Sequence, residues 1–580
     1  MQLKMKKILY AIMGTALLLA GCTQKGEVFY QNPYRTIVEY TPSTFTIPGI
    51  SGTVTPVETY DWITSNGNGS FTVRRNTSGL VRRAEFTISG SKDNAVVSQR
   101  AHSLDAALTS KLVSQGIGIA HVDATLGTMF LDDYAKWGLV FGTVNDVTKG
   151  KDVPQEGAPV IGVNHGTIKG LAEETDYYVW SYVESTEGDR VYSPVIGLVP
   201  PVYVRAGEDL QAAIDNAKEF GEIRVQGGAV FKGTILFDDK NKNKTLSGGW
   251  NADFTEQSWD NLTVIDGDGV NRGIYCGQDP VSDNPLQGYV DISYLEIRNC
   301  LALTGHGSAV RVSGGPIKVH HCYMHDNTTD RGTIATREDG ESSDIEIYNC
   351  VITNNVSTGH AGAISIEDGK DYYGYETYAS IANCLIANNT STKADGACSA
   401  VYVYNKVIVK FFNNTVFGNV TYNPNCAAVY AREWGKNHFV NNIIVGNVTG
   451  EDGKGNWYNL NISNTNDPAV NNNIVAGTAG CGNAKLVDNV VLDNSAAASG
   501  VLANPSASHK TLQDYIGGNY MPVGKAIGGA TLSVVTQHSG WDGINTDLDI
   551  KAKMEEYGTD IAGNPRIVGG KLDIGCFQSK

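Results

Sequence analysis

The sequence has no basic stripe to offer a polyanion. Lys and Arg number 45 against 61 Asp and Glu, a formal net charge of −16. A phosphate backbone is held chiefly by neutralising it with cations, so this balance argues against a nucleic-acid partner. After the first two dozen residues no second long apolar run follows, and no spanning helix is expected. The 10 Cys include no C-x-x-C pair, the usual spacing of a zinc or redox clip. No D-x-D-x-D run marks a calcium loop. Helix is also expected to be scarce, because Gly is abundant at 66 and Asn is frequent, a composition suited to turns.

What the chain does have is a repeat. It is clearest in IEIYNCVITNN (345–355) and returns in YLEIRNCLALTG, IKVHHCYMHDN, ASIANCLIANN, VKFFNNTVFGN and KNHFVNNIIVGN. The aligned residues are Cys300, Cys322, Cys350, Cys384, Asn414 and Asn442, spaced by 22, 28, 34, 30 and 28. A period that holds to within a loop's length marks a solenoid. Each unit alternates apolar and polar residues, bends at Asn, and resumes. Alternation is the mark of a strand, and Asn tolerates the backbone of a tight bend. Short strands recurring once per turn, with inward positions stacked on themselves, describe a parallel β-helix of on the order of ten rungs. The Cys column reads as small buried thiols. Adjacent rungs lie about 4.8 Å apart, within geometric reach of a disulfide in an exported chain.

The chain in order begins with a targeting segment, residues 1–22. Lys4, Lys6 and Lys7 open it, Ile8 to Ala20 are apolar, and Leu19-Ala20-Gly21-Cys22 closes it. The ending resembles a bacterial lipobox, which implies cleavage before Cys22, lipidation of its thiol and a place in the outer membrane, exposed at the cell surface. Residues 23–35 read as a polar tether. Residues 36–101 and 102–200 read as two small β-sandwiches, with alternating strands separated by Gly, Asn and Ser turns. In the first, Trp62, FTV (71–73), RRAEFTISG (82–90) and VVSQ (96–99) resemble the BACON module of gut-type Bacteroidetes. That resemblance implies either carbohydrate or mucin binding or a spacer. In the second, Leu171, Thr175 and Tyr177, followed by alternating Tyr178, Trp180 and Tyr182, resemble the fibronectin type III pattern with its tyrosine corner. A linker role is expected of it.

Residues 201–580 carry the coil. Leu210, Ala213, Ile214 and Ala217 share one helical face, and a short amphipathic helix there would cover the open end of the coil. TLSGGWNADF (245–254), the NC-x-I-x-x-N rungs and the closing D-x-x-G-N-P-R…DIG (560–575) resemble right-handed parallel β-helix proteins of the choice-of-anchor Q type. The resemblance implies a pectate-lyase-like solenoid with a C-terminal cap and says little about activity. A monomer is expected.

The second half of each repeat gives the candidate site. Setting Val310, Ile334, Ile364, Val401 and Val429 as one inward column places residues one and three positions later outside. The three-on column is Ser313, Arg337, Glu367, Tyr404 and Arg432; the next is Gly314, Glu338, Asp368, Asn405 and Glu433. Tyr402, Tyr430 and Trp434 stand beside them, and the loop 370–378 would overhang the edge. Such a stripe suits an extended glycan; alternating charges on outward strand positions also serve solubility alone. As a polysaccharide lyase, the chain would use Arg337 or Arg432 as base, with Ca²⁺ on Glu338, Asp368 and Glu433. Otherwise no cofactor is expected. Gly305-His306-Gly307 matches a tripeptide of polygalacturonases, but Gly359-His360 recurs at the equivalent turn and that family's Asp-Asp and Arg-x-Lys companions are missing. His320, His321 and His325 cluster in one rung, where neighbours on a strand should face oppositely. The expected function is non-catalytic glycan binding or adhesion at the cell surface; the alternatives are a uronate-directed lyase and a structural surface protein.

Overall fold

The structure is a computed structural model. It describes residues 32–579 apart from 77–79, 102–105, 129–130, 132–133, 187, 278–285, 287, 337–342, 368–376, 396–399, 405–406, 433–435, 451–457, 464–468, 477–480, 482–484, 493–499 and 536–546. The targeting segment, Cys22 and most of the tether lie outside the described residues. The chain divides into two compact units, the second holding everything from Gly197 onward. Near the start, Ser43–Thr46, Ser70–Val73 and Ile63–Gly67 form one sheet, and Arg35–Val38, Ala95–Gln99, Arg82–Ile88 and Val54–Pro56 another. Trp62, Phe71 and Phe86 are buried in one core with Val73 and Val97. Further on, a three-stranded and a five-stranded sheet cover 107–198, and the Tyr177 hydroxyl accepts the Ala172 N–H at 3.0 Å.

From Val202 the chain winds as a right-handed parallel β-helix. The first wall has 11 strands, from Val202–Val204 to Lys485–Val487; the second has 10, from Val230–Lys232 to Val490–Leu492. The third has 8, from Ile235–Phe237 to Tyr458–Ser463, and a short fourth wall has 6 two-residue strands. Alternation sends Ile345, Ile347, Ile352, Ile364 and Ile366 of one rung into a single apolar core. The helix α1, Leu210–Asn216, is capped by the Asp209 carboxylate on Ala212 N–H. It buries Leu210 and Ile214 in that core, as expected of a plug. The preceding Val202–Val204 is instead the first strand of the first wall.

The bends explain the Asn. Asn349, Asn383, Asn413, Asn441 and Asn472 sit between first and second walls with φ of 52° to 58°, where Asn is one of the few tolerated residues. The next residue points inward. There Asn414 Nδ2 donates to Asn442 Oδ1 (3.2 Å), Asn442 to Asn473 (2.9 Å) and Asn473 to Asn489 (2.9 Å). A second ladder joins Asn327, Asn355, Asn389, Asn419 and Asn447, each step 2.9 Å. In Asn389, Oδ1 accepts both Asn355 N–H and its side chain, while Nδ2 also reaches Ile352 O. Both amide atoms of Asn389 are therefore satisfied, which burial demands. Before Asn414 the first column is Cys, and these thiols donate to carbonyls two residues back, as Cys350 does to Tyr348 O at 3.4 Å. The eight described repeat-region Cys are free and buried; Cys398 lies outside the described residues.

The outward positions of the second wall are apolar and need cover. The described residues of 501–535 and 547–577 supply it along the side of the coil: Val501, Leu502, Tyr515, Tyr520 and Phe577 pack on Val351, Leu385, Ile443 and Ile474. Helix α2 (Leu512–Ile516) belongs to this stretch. Helix α3 (Ile550–Tyr557) covers the first wall at Ala382, Phe412 and Val440. The bend Asn side chains grip the same segment: Asn349 donates to Thr559 O (3.2 Å), Asn441 to Thr531 O (2.9 Å) and Asn354 to the Tyr515 hydroxyl (2.8 Å). The closing motif is its fastening. Asp560 accepts N–H groups of Ala562, Asn564 and Gln578, and the wholly buried Arg566 donates to Asp573 O and Gly575 O.

On the first wall, Asp291, Lys318, Glu346, Ser380, Lys410 and His438 stand in register. His438 is fully buried with neither ring nitrogen bonded, and burial, with Lys410 beside it, lowers its pKa to about 4. Two outcomes follow. Asn389→Ala strands the donors of Asn355 and the Ile352 carbonyl and should cost about 3 kcal/mol, against about 1 kcal/mol for Cys350→Ala, in urea titrations followed by circular dichroism. The unfolded chain protonates His438 near pH 6.5, the folded one only near 4. Its contribution is therefore constant above pH 6.5 and is lost as pH falls through that window, at up to about 1.4 kcal/mol per unit. His438→Leu should flatten this part of the stability–pH curve.

Candidate functional site

The third wall carries the site that the repeat alignment marked out. Val310, Ile334, Ile364, Val401 and Val429 are paired residue for residue and all lie in the core. Glu367 therefore stands beside Tyr404, and Tyr404 beside Arg432. Arg337, Glu338, Asp368, Glu433 and Trp434, with 370–376 of the loop, lie outside the described residues. One column nearer the core strand, Tyr402, Tyr430 and Asn461 are neighbours in register.

The tyrosines form a continuous aromatic cluster. Tyr402 and Tyr404 stack with centroids 5.8 Å apart at 12°, and Tyr430 follows at 6.0 Å from Tyr402. His360, from the Gly-His turn, stacks on Tyr402 at 5.4 Å. The Arg432 guanidinium lies 4.7 Å from the Tyr404 ring centroid, a favourable cation–π placement. Tyr402 is buried, while Tyr404, Tyr430 and Arg432 are half-exposed. Asn461 Oδ1 is buried without a hydrogen bond. Half-exposed ring faces next to guanidinium and amide groups suit a flat polyhydroxylated ring: the faces meet its C–H surface and the polar groups bond its hydroxyls.

Glu367 departs from the expectation. Its parity is outward as expected, but its side chain is 1% exposed. Oε1 accepts from Ser365 Oγ at 2.6 Å and Oε2 from Arg331 at 2.9 Å. The turns between short and third walls fold over this stretch, so Glu367 ties strand to turn and does not present itself to a ligand. Each oxygen of this buried carboxylate is already engaged, one by a hydroxyl and one by a guanidinium. Among the described residues, no group of three or more His, Cys, Asp or Glu could hold a metal ion.

The Gly-His-Gly tripeptide is a clamp. His306 has φ of 58° between two positive-φ glycines, and Arg272 donates to the carbonyls of Thr304, Gly305, His306 and Gly307. The His cluster requires a correction. His321 is a bend residue with φ of 52°, so it does not face away from His320. Their Nδ1 atoms meet at 2.8 Å, and His321 stacks on Tyr294 at 4.8 Å. Burial and the nearby His320 lower the His321 pKa to about 3. His325 bridges Glu296 and Asp326. Sequence reasoning missed Arg331, His360 and Asn461 as parts of the site. Extending the alternation by one rung, from AVYAREW to YNLNIS, would have found Asn461.

The fold and the tyrosine face together define a parallel β-helix with a polar-aromatic stripe on one wall. No family model matches the chain, and no curated protein matches it. Solved structures similar to it include pectate lyase PelI from Erwinia chrysanthemi in complex with tetragalacturonic acid, 9% identical, covering 59% of this chain and 84% of that one with a TM-score of 0.13. The family 28 exopolygalacturonase of Yersinia enterocolitica is 10% identical, with coverage of 66% and 95% and a TM-score of 0.19. SGBP-B of the Bacteroides ovatus mixed-linkage glucan utilization locus, in complex with a mixed-linkage heptasaccharide, is 14% identical, with coverage of 35% and 52% and a TM-score of 0.12. At such scores the activity of this chain has to be argued from its own side chains.

Removing Arg331 as Arg331→Ala should leave the buried Glu367 carboxylate without its cation and cost about 3 kcal/mol. Thermal melting would show the loss, with partial recovery in Arg331→Ala/Glu367→Gln.

Proposed function

We propose that this protein binds a glycan along the outer face of the third wall and does not cleave it. The observation that carries this reading is the in-register set Tyr402, Tyr404, Tyr430, Arg432 and Asn461. It lies on a wall other than the two to which the C-terminal segment gives its apolar contacts. In this reading Arg337, Glu338, Asp368, Glu433 and Trp434 extend the same edge. A thioether-linked lipid on Cys22 anchors the chain to the outer membrane. The two N-terminal modules, of BACON and fibronectin type III resemblance, serve as a stalk that presents the coil at the cell surface.

The test is affinity electrophoresis and calorimetry on a panel of neutral and uronate-rich polysaccharides. Tyr404→Ala combined with Tyr430→Ala should weaken binding at least about tenfold, equivalent to about 1.4 kcal/mol, with the melting temperature unchanged. Undiminished binding by that variant would remove the site from the third wall. New ultraviolet absorbance from unsaturated uronates, lost with Arg337→Ala or Arg432→Ala or with chelator, would replace the binding reading by a lyase. For the anchor, Cys22→Ser should move the protein from the membrane to the soluble fraction.

A further inference from the structure

A second concavity lies on the outer face of the first wall, beside α3. It is a groove of about 350 Å³ with Pro316, Ile345 and Ile408 among its lining and Lys318, Lys410 and Lys553 around it. The volume falls at the lower end of small-ligand sites. Its three lysines face Asp344 and Glu346 across the lining, and Lys553 also pairs with Glu556 at 2.9 Å. Lys553 and Lys318 both reach Glu346, at 3.0 and 3.4 Å. The same carboxylate accepts the Tyr557 hydroxyl at 2.7 Å. Burial alone would raise the Glu346 pKa, yet Tyr557, Lys553 and Lys318 together hold it below the usual carboxylate value.

Lys410 stands two rungs further along the same column, with Ser380 between. Its ammonium donates to the Asp547 carbonyl at 2.9 Å and meets no carboxylate at ion-pair distance among the described residues. Burial and the neighbouring Lys553 lower its pKa, more than the charge of Asp547 raises it. A half-buried cation with no ion pair among the described residues is a costly arrangement that an incoming anion would relieve. The apolar lining supplies the other half of the recognition. Tyr289 and Tyr378 also line the groove, and their rings provide faces for a flat ligand.

We propose that this groove binds a small organic acid, its carboxylate on Lys410 and its ring-sized body over Pro316 and Ile408. Two sources share that chemistry, an aromatic acid and a free uronic acid. The site is on a different wall from the tyrosine face, so it stands or falls independently of the glycan reading.

Calorimetry of the full chain with benzoate, glucuronate, benzyl alcohol and glucose separates the outcomes. At least one acid should bind saturably, about tenfold tighter than its neutral counterpart, and Lys410→Gln should abolish that preference. Benzoate ahead of glucuronate assigns an aromatic acid; the reverse order assigns a uronic acid. No saturable binding of either acid, equal binding of acid and neutral compound, or an unchanged preference in Lys410→Gln overturns the proposal. Should Lys410→Gln lose its thermal transition, Lys318→Gln at the half-exposed rim takes its place. That variant should weaken acid binding about threefold, and no change overturns the proposal.

Discussion

The coil depends on keeping its buried bends hydrogen-bonded. A parallel β-helix must turn its chain inside each rung, and two of those turns put polar backbone next to the core. An unsatisfied group there would cost as much as several good contacts return. The inward Asn meets the demand with one side chain, because it both donates and accepts and matches itself on the next rung. Asn355, Asn389 and Asn419 show the arrangement complete. This self-matching also sets register, since a slip by one residue would break the ladder and turn every strand inside out. The outward columns are in line because the inward ones are.

Register alone does not make a site; the cover decides which column is reachable. The second wall presents Val351, Leu385, Ile443 and Ile474 outward, and the C-terminal segment seals them. The first wall is partly sealed by α3, packed on Phe412 and Val440, and the groove at Lys410 lies alongside that helix. The tyrosine face lies on the third wall, and the Asp560 and Arg566 fastening secures the cover that seals the other two. A motif at the end of the chain thus serves to hold the cover in place.

The polar residues sort by the same logic. Glu367, Arg331 and Arg272 look like catalytic equipment in a list of residues, but the hydrogen bonds they make hold turns. Tyr404, Tyr430 and Arg432 keep ring faces and polar groups half-exposed. Lys410 is the opposite case to Glu367, a half-buried charge with no ion pair among the described residues.

The sequence by itself determined the coil, its period, its inward columns and the outward neighbours Glu367, Tyr404 and Arg432. It could do so because alternation and the Asn bend are local properties of a few consecutive residues, repeated often enough to align. The tertiary structure alone decided exposure. Glu367 is tied down by Arg331 from a turn of the neighbouring rung, and His320 meets His321 because a positive φ breaks strand parity. The groove at Lys410 needs a helix well over a hundred residues later to form its wall. These are contacts between segments whose spacing follows no period, and no repeat pattern carries them. The stretch IEIYNCVITNN (345–355) shows both sides: its pattern announces the ladder, and only the folded chain reveals that Asn349 and Asn354 also hold the C-terminal cover.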